Sequence, residues 1–344
     1  MPKSGKTTVF NALTGKQIDT SAYTGSKVEP HMAVVDVIDP RIDRLSAMYK
    51  PKRSIYATIE LIDFAGIQES GGDTFGADTL NRIKTCDALA IVVRNFSEAS
   101  VDAEFGEADP ASEFESVYSE LLLADQIVAE RRIERLVEDR QKGRKPNNPR
   151  EEKILSSVVE AIDSGSTLRS LDIDDEARRV VSGFQFLTAK PIFAVINSSD
   201  DRYASTEFSF EVPGIEFAGR FESELAGLDS GEAAEFLLDA GIDESARARL
   251  TTFAYTILGY LCFFTVGEDE VRAWTIRRGS NSVVAAGAIH SDLARGFIRA
   301  EVFQCDDLLE LGSEAEVKKA GKMRLEGKEY EVKDGDVINV RFSV

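Results

Sequence analysis

Residues 3–8 read Lys-Ser-Gly-Lys-Thr-Thr. Gly5, Lys6 and Thr7 fill the last three positions of the phosphate-binding pattern G-x-x-x-x-G-K-[ST]. The chemistry behind that pattern is direct. Successive backbone N–H groups curl around phosphate oxygens, and the helix that follows points its positive end at them. Gly5 lets the backbone approach. Lys6 reaches the outer phosphates as a point charge, and the Thr7 hydroxyl is placed to ligate Mg²⁺. Lys3, Ser4 and Thr8 complete the candidate loop. The pattern's first glycine falls one place before Met1, and no apolar strand precedes the loop. The expectation is a natural start upstream of Met1; the other reading is a protein that lacks this strand.

Two further groups of residues belong with the loop. Asp63-Phe-Ala-Gly66 follows the apolar run ending at Ile62. A carboxylate at a strand's C-terminal end can enter the Mg²⁺ shell, and the Gly66 N–H can bond a terminal phosphate. Asn197-Ser-Ser-Asp200 follows the apolar run 191–196. It resembles the N-K-x-D pattern that reads a purine base, with Ser198 in place of the lysine. Ala218 and Gly219, after the strand expected at 214–217, stand where a backbone N–H commonly meets the base. These groups give a candidate nucleotide site of Lys3, Ser4, Gly5, Lys6, Thr7, Thr8, Gly66, Asn197, Ser198, Asp200, Ala218 and Gly219. Thr7 and Asp63 are the Mg²⁺ ligands. The residue after Gly66 is Ile67, where many GTPases keep a water-orienting glutamine; an isoleucine cannot orient water, so hydrolysis is expected to be slow.

These groups need a scaffold. Val9, Phe10 and Leu13 give an apolar face to a helix that stops near Gly15. Residues 32–38 and 55–62 are rich in β-branched side chains and read as strands. The runs 88–93 and 191–196 are almost wholly apolar, as suits strands buried on both faces of a parallel sheet. A helical stretch at 76–85 separates two of them, and the alternation argues an α/β sheet. From Ser112 the apolar positions Phe114, Val117, Leu121, Ala124 and Val128 recur at 3-4 spacing. After the polar segment 142–150 a second stripe returns with Ile154, Leu155, Val158, Val159 and Ile162. This predicts a helical hairpin with a coiled-coil-like seam, inserted into the sheet domain. Its basic tip (Lys142, Arg144, Lys145, Arg150) reads as a contact for RNA or an acidic partner, with a solvated turn as the other reading. The last ~80 residues alternate strands and turns, with strands expected at 263–266, 273–276, 297–302, 330–332 and 337–342 and a helix at 306–311.

Composition limits the rest. The chain has 344 residues, and its 60 acidic against 41 basic residues give a net charge of −19. That balance disfavours bulk binding to nucleic acid over the whole surface, so no DNA partner is expected. Three cysteines without a Cys-x-x-Cys pair exclude a zinc ribbon and fit a reducing cytosol. No apolar run approaches the ~20 residues of a membrane span, and no membrane partner is expected.

Together these pieces resemble the YchF family, the Obg-like ATPases, over essentially the whole chain. The resemblance is densest from Phe253 onward: residues 263–267 (Phe-Phe-Thr-Val-Gly), 270–276 (Glu-Val-Arg-Ala-Trp-Thr-Ile), 295–302 (Arg-Gly-Phe-Ile-Arg-Ala-Glu-Val) and 334–337 (Asp-Gly-Asp-Val). Asp39-Pro40-Arg41 and Val92-Val93-Arg94 match as well. The resemblance implies a P-loop NTPase parallel sheet (1–110 and 183–260), interrupted by the α-helical coiled-coil hairpin (111–182), and a C-terminal TGS domain of β-grasp fold (261–344). It also implies ATP preferred to GTP, Mg²⁺ as cofactor, and association with ribosomes or ribosomal RNA.

The chain departs from the family at three points. Lys3 replaces an asparagine. Lys27 stands where a switch threonine senses Mg²⁺, although Thr24 or Ser26 could substitute. Asp200 replaces a glutamate in the base-reading segment. Weak or altered hydrolysis follows from the first two, and GTP stays open as the alternative nucleotide. The expectation is a cytoplasmic nucleotide switch, a slow ATPase whose loops at 22–31 and 64–75 respond to the nucleotide. The alternative is a nucleotide-independent ribosome-binding scaffold. In the C-terminal module, His290 and Trp274 read as structural, whereas Arg277 and Arg278 are candidates for RNA phosphate.

Overall fold

The computed structural model describes residues 3–16, 18, 30–64, 77–205, 208–225, 228, 230–239 and 244–343. In chain order the first elements are α1 (Lys6–Thr14), β1 (His31–Asp36), α2 (Pro40–Tyr49), β2 (Arg53–Ile55), β3 (Thr58–Asp63), α3 (Ala77–Thr85) and β4 (Leu89–Asn95). Then come α4 (Ala99–Phe105), α5 (Pro110–Gln141), α6 (Glu151–Asp163), α7 (Asp175–Phe184), β5 (Ile192–Ser198), β6 (Gly214–Phe217), α8 (Gly219–Leu225), α9 (Ser230–Asp239) and α10 (Ala246–Ile257). The chain finishes with β7 (Tyr260–Thr265), β8 (Glu270–Arg277), α11 (Ser282–Ile289), α12 (Ser291–Arg295), β9 (Phe297–Gln304), α13 (Cys305–Leu311), α14 (Glu314–Lys319), β10 (Arg324–Glu326) and β11 (Asp336–Phe342). Two compact units result: Met1–His31 with Asp63–Phe236, and Met32–Ile62 with Leu237–Val344. Among the described residues no helix is long and apolar enough to cross a membrane.

The first unit holds a three-stranded parallel sheet in the order β4–β5–β6. Every residue of β5 is buried, as a strand covered on both faces requires. The crossover from β5 to β6 contains no helix among its described residues. Phe208, Phe210 and Val212 take the place of one, packing on the β4–β5 core with Phe114 of α5; the Phe114 and Phe210 rings lie 5.3 Å apart.

Asp109 starts α5 by accepting a hydrogen bond from the Ser112 N–H, with Pro110 at the first helical position. The helix then runs unbroken for 32 residues, about 48 Å. Its far half shares a core with α6 and α7, built on Ala129, Leu136, Leu155, Val158, Ile162 and Val181. Asp125, buried in mid-helix, accepts from the Leu187 and Thr188 N–H groups and the Thr188 hydroxyl. These three bonds anchor the segment that leads into β5.

At the end of that segment, the Lys190 ammonium donates to the carbonyls of Ile83, Lys84 and Cys86 at 2.9, 2.6 and 2.5 Å. It closes the C-terminal end of α3, where carbonyls are orphaned and the helix dipole is negative. Burial holds its pKa below the usual lysine value. Lys190→Met is expected to cost about 1–2 kcal/mol of stability, checked by urea unfolding of the full chain.

The second unit is built on a six-stranded sheet in the order β10–β9–β11–β7–β8–β2. One face packs α2 and α13 through Ile42, Leu45, Leu308 and Phe264. The other packs α11 through Ala285 and Ala286 against Phe263, Val302 and Ile338. Asp39 caps α2 and Arg41 bonds back to it. The same guanidinium donates to Asp334 at 2.7 Å and covers the Phe264 ring. The Asp39-Pro40-Arg41 and Asp334-Gly-Asp336 segments thus meet in one clamp.

Two strand expectations change and one strand is unforeseen. The strand expected over 55–62 starts later, as β3 (Thr58–Asp63), which pairs with β1, while Ile55 ends the separate short strand β2, which pairs with β8. At the junction the Ala57 carbonyl turns aside to accept from the Val37 N–H. Residues 330–332 make only an isolated bridge, Asn281 to Glu331. The short strand β10, which carries no apolar alternation, pairs instead with β9.

Candidate phosphate and base site

Helix α1 begins at Gly5, whose φ of 81° lies in the left-handed region. No side chain caps this terminus and its first turn carries no acid, so its positive dipole end suits an anion. The Thr7 hydroxyl donates to Asp63 Oδ2 at 2.9 Å. Thr7 is 7 % exposed and Asp63 6 %. The fold therefore joins the two Mg²⁺ candidates, 56 residues apart in sequence. Lys6 follows Gly5 directly. Burial pulls its pKa below the usual lysine value, and the nearby charges of Asp63 and Glu113 pull the other way.

Asn197 has a role that its sequence pattern did not show. Its side-chain amide donates to the Ser4 carbonyl at 3.1 Å, and the residue is 5 % exposed. A Cβ placed on Gly5 would overlap its amide nitrogen, and one on Gly219 would overlap its Oδ1. The phosphate loop and the start of α8 thus close on one amide. Ser223 on α8 adds a 3.4 Å bond to the Thr8 carbonyl. Ala218 and Gly219 are buried beside Asn197. Gly5→Ala is expected to displace Asn197 and to force a left-handed φ that costs about 1–2 kcal/mol in itself. Nucleotide affinity should fall at least tenfold by calorimetry while the circular dichroism spectrum is kept.

Ser198 is placed otherwise. It is 2 % exposed, accepts from the Asn95 amide at 2.8 Å and donates to Glu216 at 2.5 Å. Its hydroxyl ties β4 and β6 to β5. Glu216 also accepts from the Ala204 N–H, steadying the turn in which Asp200 stands exposed. Lys3 has a φ of 55°, and its ammonium lies 2.6 Å from Glu104 of α4. Gly66, Ile67, Lys27, Thr24 and Ser26 lie outside the described residues.

Sequence reading placed Arg94 among the segments that resemble the family but gave it no role. It is 2 % exposed, and its N–H and Nε donate to Glu113 at 2.9 and 3.0 Å, Nη1 to Asp102 at 2.8 Å and Nη2 to the Gly106 carbonyl at 2.9 Å. The available signal was a charge directly after a buried apolar strand, which requires a partner.

The basic tip of the α5–α6 pair is largely neutralised. Lys142 pairs with Glu138, Arg144 with Asp139, and Arg150 with Asp174 and Glu176. These pairs weaken the expected contact with RNA or an acidic partner, because phosphate would have to displace carboxylates already in place. In the second unit His290 caps α12 by accepting from the Asp292 N–H. Trp274 is half-buried, bonds Thr265 and lies under the Arg272 guanidinium at 4.2 Å. Both are structural. Arg277 and Arg278 are exposed, and among the described residues neither forms an ion pair.

The ribosome-binding ATPase YchF of Bacillus subtilis (strain 168) is 39% identical over 358 residues, an alignment that spans 100% of this chain and 98% of that protein. The chain belongs to the YchF family. The ribosome-binding ATPase YchF of Escherichia coli O157:H7 is 35% identical over 355 residues with the same coverage. Residues 260–343 match the YchF-GTPase_C profile, described as a protein of unknown function (DUF933), and residues 1–124 match MMR_HSR1, described as a 50S ribosome-binding GTPase. A solved structure of the Schizosaccharomyces pombe YchF GTPase superposes with a TM-score of 0.83 at 28% identity, covering 99% of this chain and 96% of that one. The fold is that of a P-loop GTPase with mixed α/β sheets, as in that YchF structure.

Proposed function

We propose that this chain is a cytoplasmic, Mg²⁺-dependent nucleotide switch that binds and slowly hydrolyses ATP and associates with the ribosome. The observation that carries the reading is the buried Thr7–Asp63 contact beside an uncapped helix N-terminus that begins with Lys6. A hydroxyl and a carboxylate are the hard oxygen donors that Mg²⁺ takes, so these residues fit the ion. Bound there with nucleotide, Mg²⁺ would neutralise charge on the outer phosphates. The loop from Lys3 to Thr8 supplies N–H groups to the phosphates, and Lys6 supplies the charge. Asn197 holds the loop shut, and with Asp200, Ala218 and Gly219 borders the place for the base. The family resemblance adds Gly66 to the phosphate-binding residues. With Ile67 and Lys27 at the switch positions, turnover is slow.

The same reading assigns residues 1–110 and 183–260 to the nucleotide domain, 111–182 to a coiled-coil hairpin and 261–344 to a TGS domain. Ribosome association follows the names of the relatives, whereas the choice of ATP leaves GTP as the competitor. Calorimetry of the full chain with Mg-ATP and Mg-GTP tests both points. Tighter binding of ATP supports the reading and tighter binding of GTP makes the protein a GTPase. Binding of neither, with ribosome co-sedimentation intact, would leave a scaffold.

A further inference from the structure

A lysine inside a phosphate loop is a charge that the ligand should claim, yet here that charge is held by another element. Lys3 carries a φ of 55°, a left-handed conformation uncommon for a residue with a Cβ. Its ammonium sits 2.6 Å from Glu104 Oε2 and 5.9 Å from the centre of the Phe105 ring. Both partners lie in the last turn of α4. That helix is firmly mounted: Asp102, on the same short helix, accepts from the buried Arg94 guanidinium at 2.8 Å and from the Ser97 hydroxyl at 2.5 Å. Gly106, which ends the helix, gives its carbonyl to the same guanidinium. The Glu104 carboxylate is therefore presented from a fixed support, while the ammonium it holds rides on a flexible stem.

We infer that Glu104 is an internal competitor for the phosphate-loop ammonium of Lys3: it holds that charge in the nucleotide-free loop and yields it to a polyphosphate. The inference rests on the nucleotide reading above and adds a control on the same site. Lys3 and Glu104 are about half exposed, 51% and 54% for the two side chains, so water screens the pair and the competition is modest. Exchanging one exposed ion pair for contact with a more highly charged anion corresponds to a change in affinity of roughly two- to five-fold. An internal carboxylate discriminates by charge. A triphosphate claims the ammonium more completely than a diphosphate does, so it must break the pair more completely, and Glu104 should weaken ATP binding proportionally more than ADP binding.

The test is a double-mutant cycle on the full chain, with calorimetric affinities for Mg-ATP and Mg-ADP. Glu104→Gln should tighten both, roughly two- to five-fold, with the larger gain for ATP. Lys3→Met should weaken both. In the Lys3→Met background, Glu104→Gln should do much less. No tightening by Glu104→Gln, or equal tightening with and without Lys3, overturns the inference, the second because Glu104 would then act only as a bare repelling charge. A larger gain for ADP than for ATP overturns the discrimination. Wild-type protein that binds neither nucleotide overturns the nucleotide reading itself, a result distinct from a flat cycle in protein that binds. Both side chains are exposed, and circular dichroism of the variants verifies that they fold.

Discussion

Arg94→Ala should lower the unfolding free energy of the full chain by about 3–5 kcal/mol, measured by urea denaturation. Removal of this guanidinium strands Glu113, 7 % exposed, without its cation and with only the backbone N–H of residue 94 still bonded to it; Asp102 keeps the Ser97 hydroxyl alone, and the Gly106 carbonyl loses the bond from Nη2. A buried carboxylate that loses its cation carries a desolvation cost that nothing offsets. Arg94→Lys keeps the charge and loses the planar fork, so its loss should fall between alanine and wild type. The Arg94→Met, Glu113→Leu pair removes both charges and should be more stable than Arg94→Ala. If the pair is no better than the single variant, the cost comes from packing rather than from the stranded acid. The loss should also reach the phosphate loop, because an unpaired Glu113 acts more strongly on the Lys6 ammonium.

Lys6→Met is the substitution with the largest expected effect on binding. Loss of one member of a buried charge contact costs about 2–5 kcal/mol, so affinity for Mg-ATP should fall from about thirty-fold to several thousand-fold by calorimetry. Stability should change much less, since in the nucleotide-free chain burial already opposes the Lys6 charge. The same physics sets a pH dependence. Burial holds the Lys6 pKa below the usual lysine value, and a bound polyphosphate would raise it. Between these two values binding takes up a proton, and affinity falls as pH rises through the lower one. Calorimetry at alkaline pH in buffers of different ionisation enthalpy should show this uptake in the wild type. Lys6→Met should abolish it; uptake that persists would place the titrating group elsewhere.

Much of the candidate site was written in short stretches of sequence. Lys-Ser-Gly-Lys-Thr-Thr at 3–8 sets a loop running into a helix, because Gly5 alone tolerates its backbone angle and Gly15 ends the turn. Asp63 falls at the end of β3, a partly exposed strand of alternating polar and apolar residues, and Asn197 near the end of β5, where a wholly apolar run makes a strand buried on both faces. These are local decisions, made by caps, turn residues and the burial of contiguous apolar side chains.

Other features depend on which segments meet. Asn197 became the bolt of the phosphate loop through a contact with Ser4 across 193 residues. The basic tip lost much of its charge to acids of its own helix and of α7, a neutralisation that a count of Lys and Arg along one segment does not reveal. Residues 53–55, of which only Ile55 fell in the strand that the sequence predicts, joined the edge of the C-terminal sheet beside β8, more than 200 residues away. The sequence by itself determined the loop, the strands and the types of chemical group. The tertiary structure alone decided which charges face one another. The reason is physical: backbone preference and apolar burial act between near neighbours, whereas the worth of a charge or an amide depends on the groups that folding brings within a few ångströms.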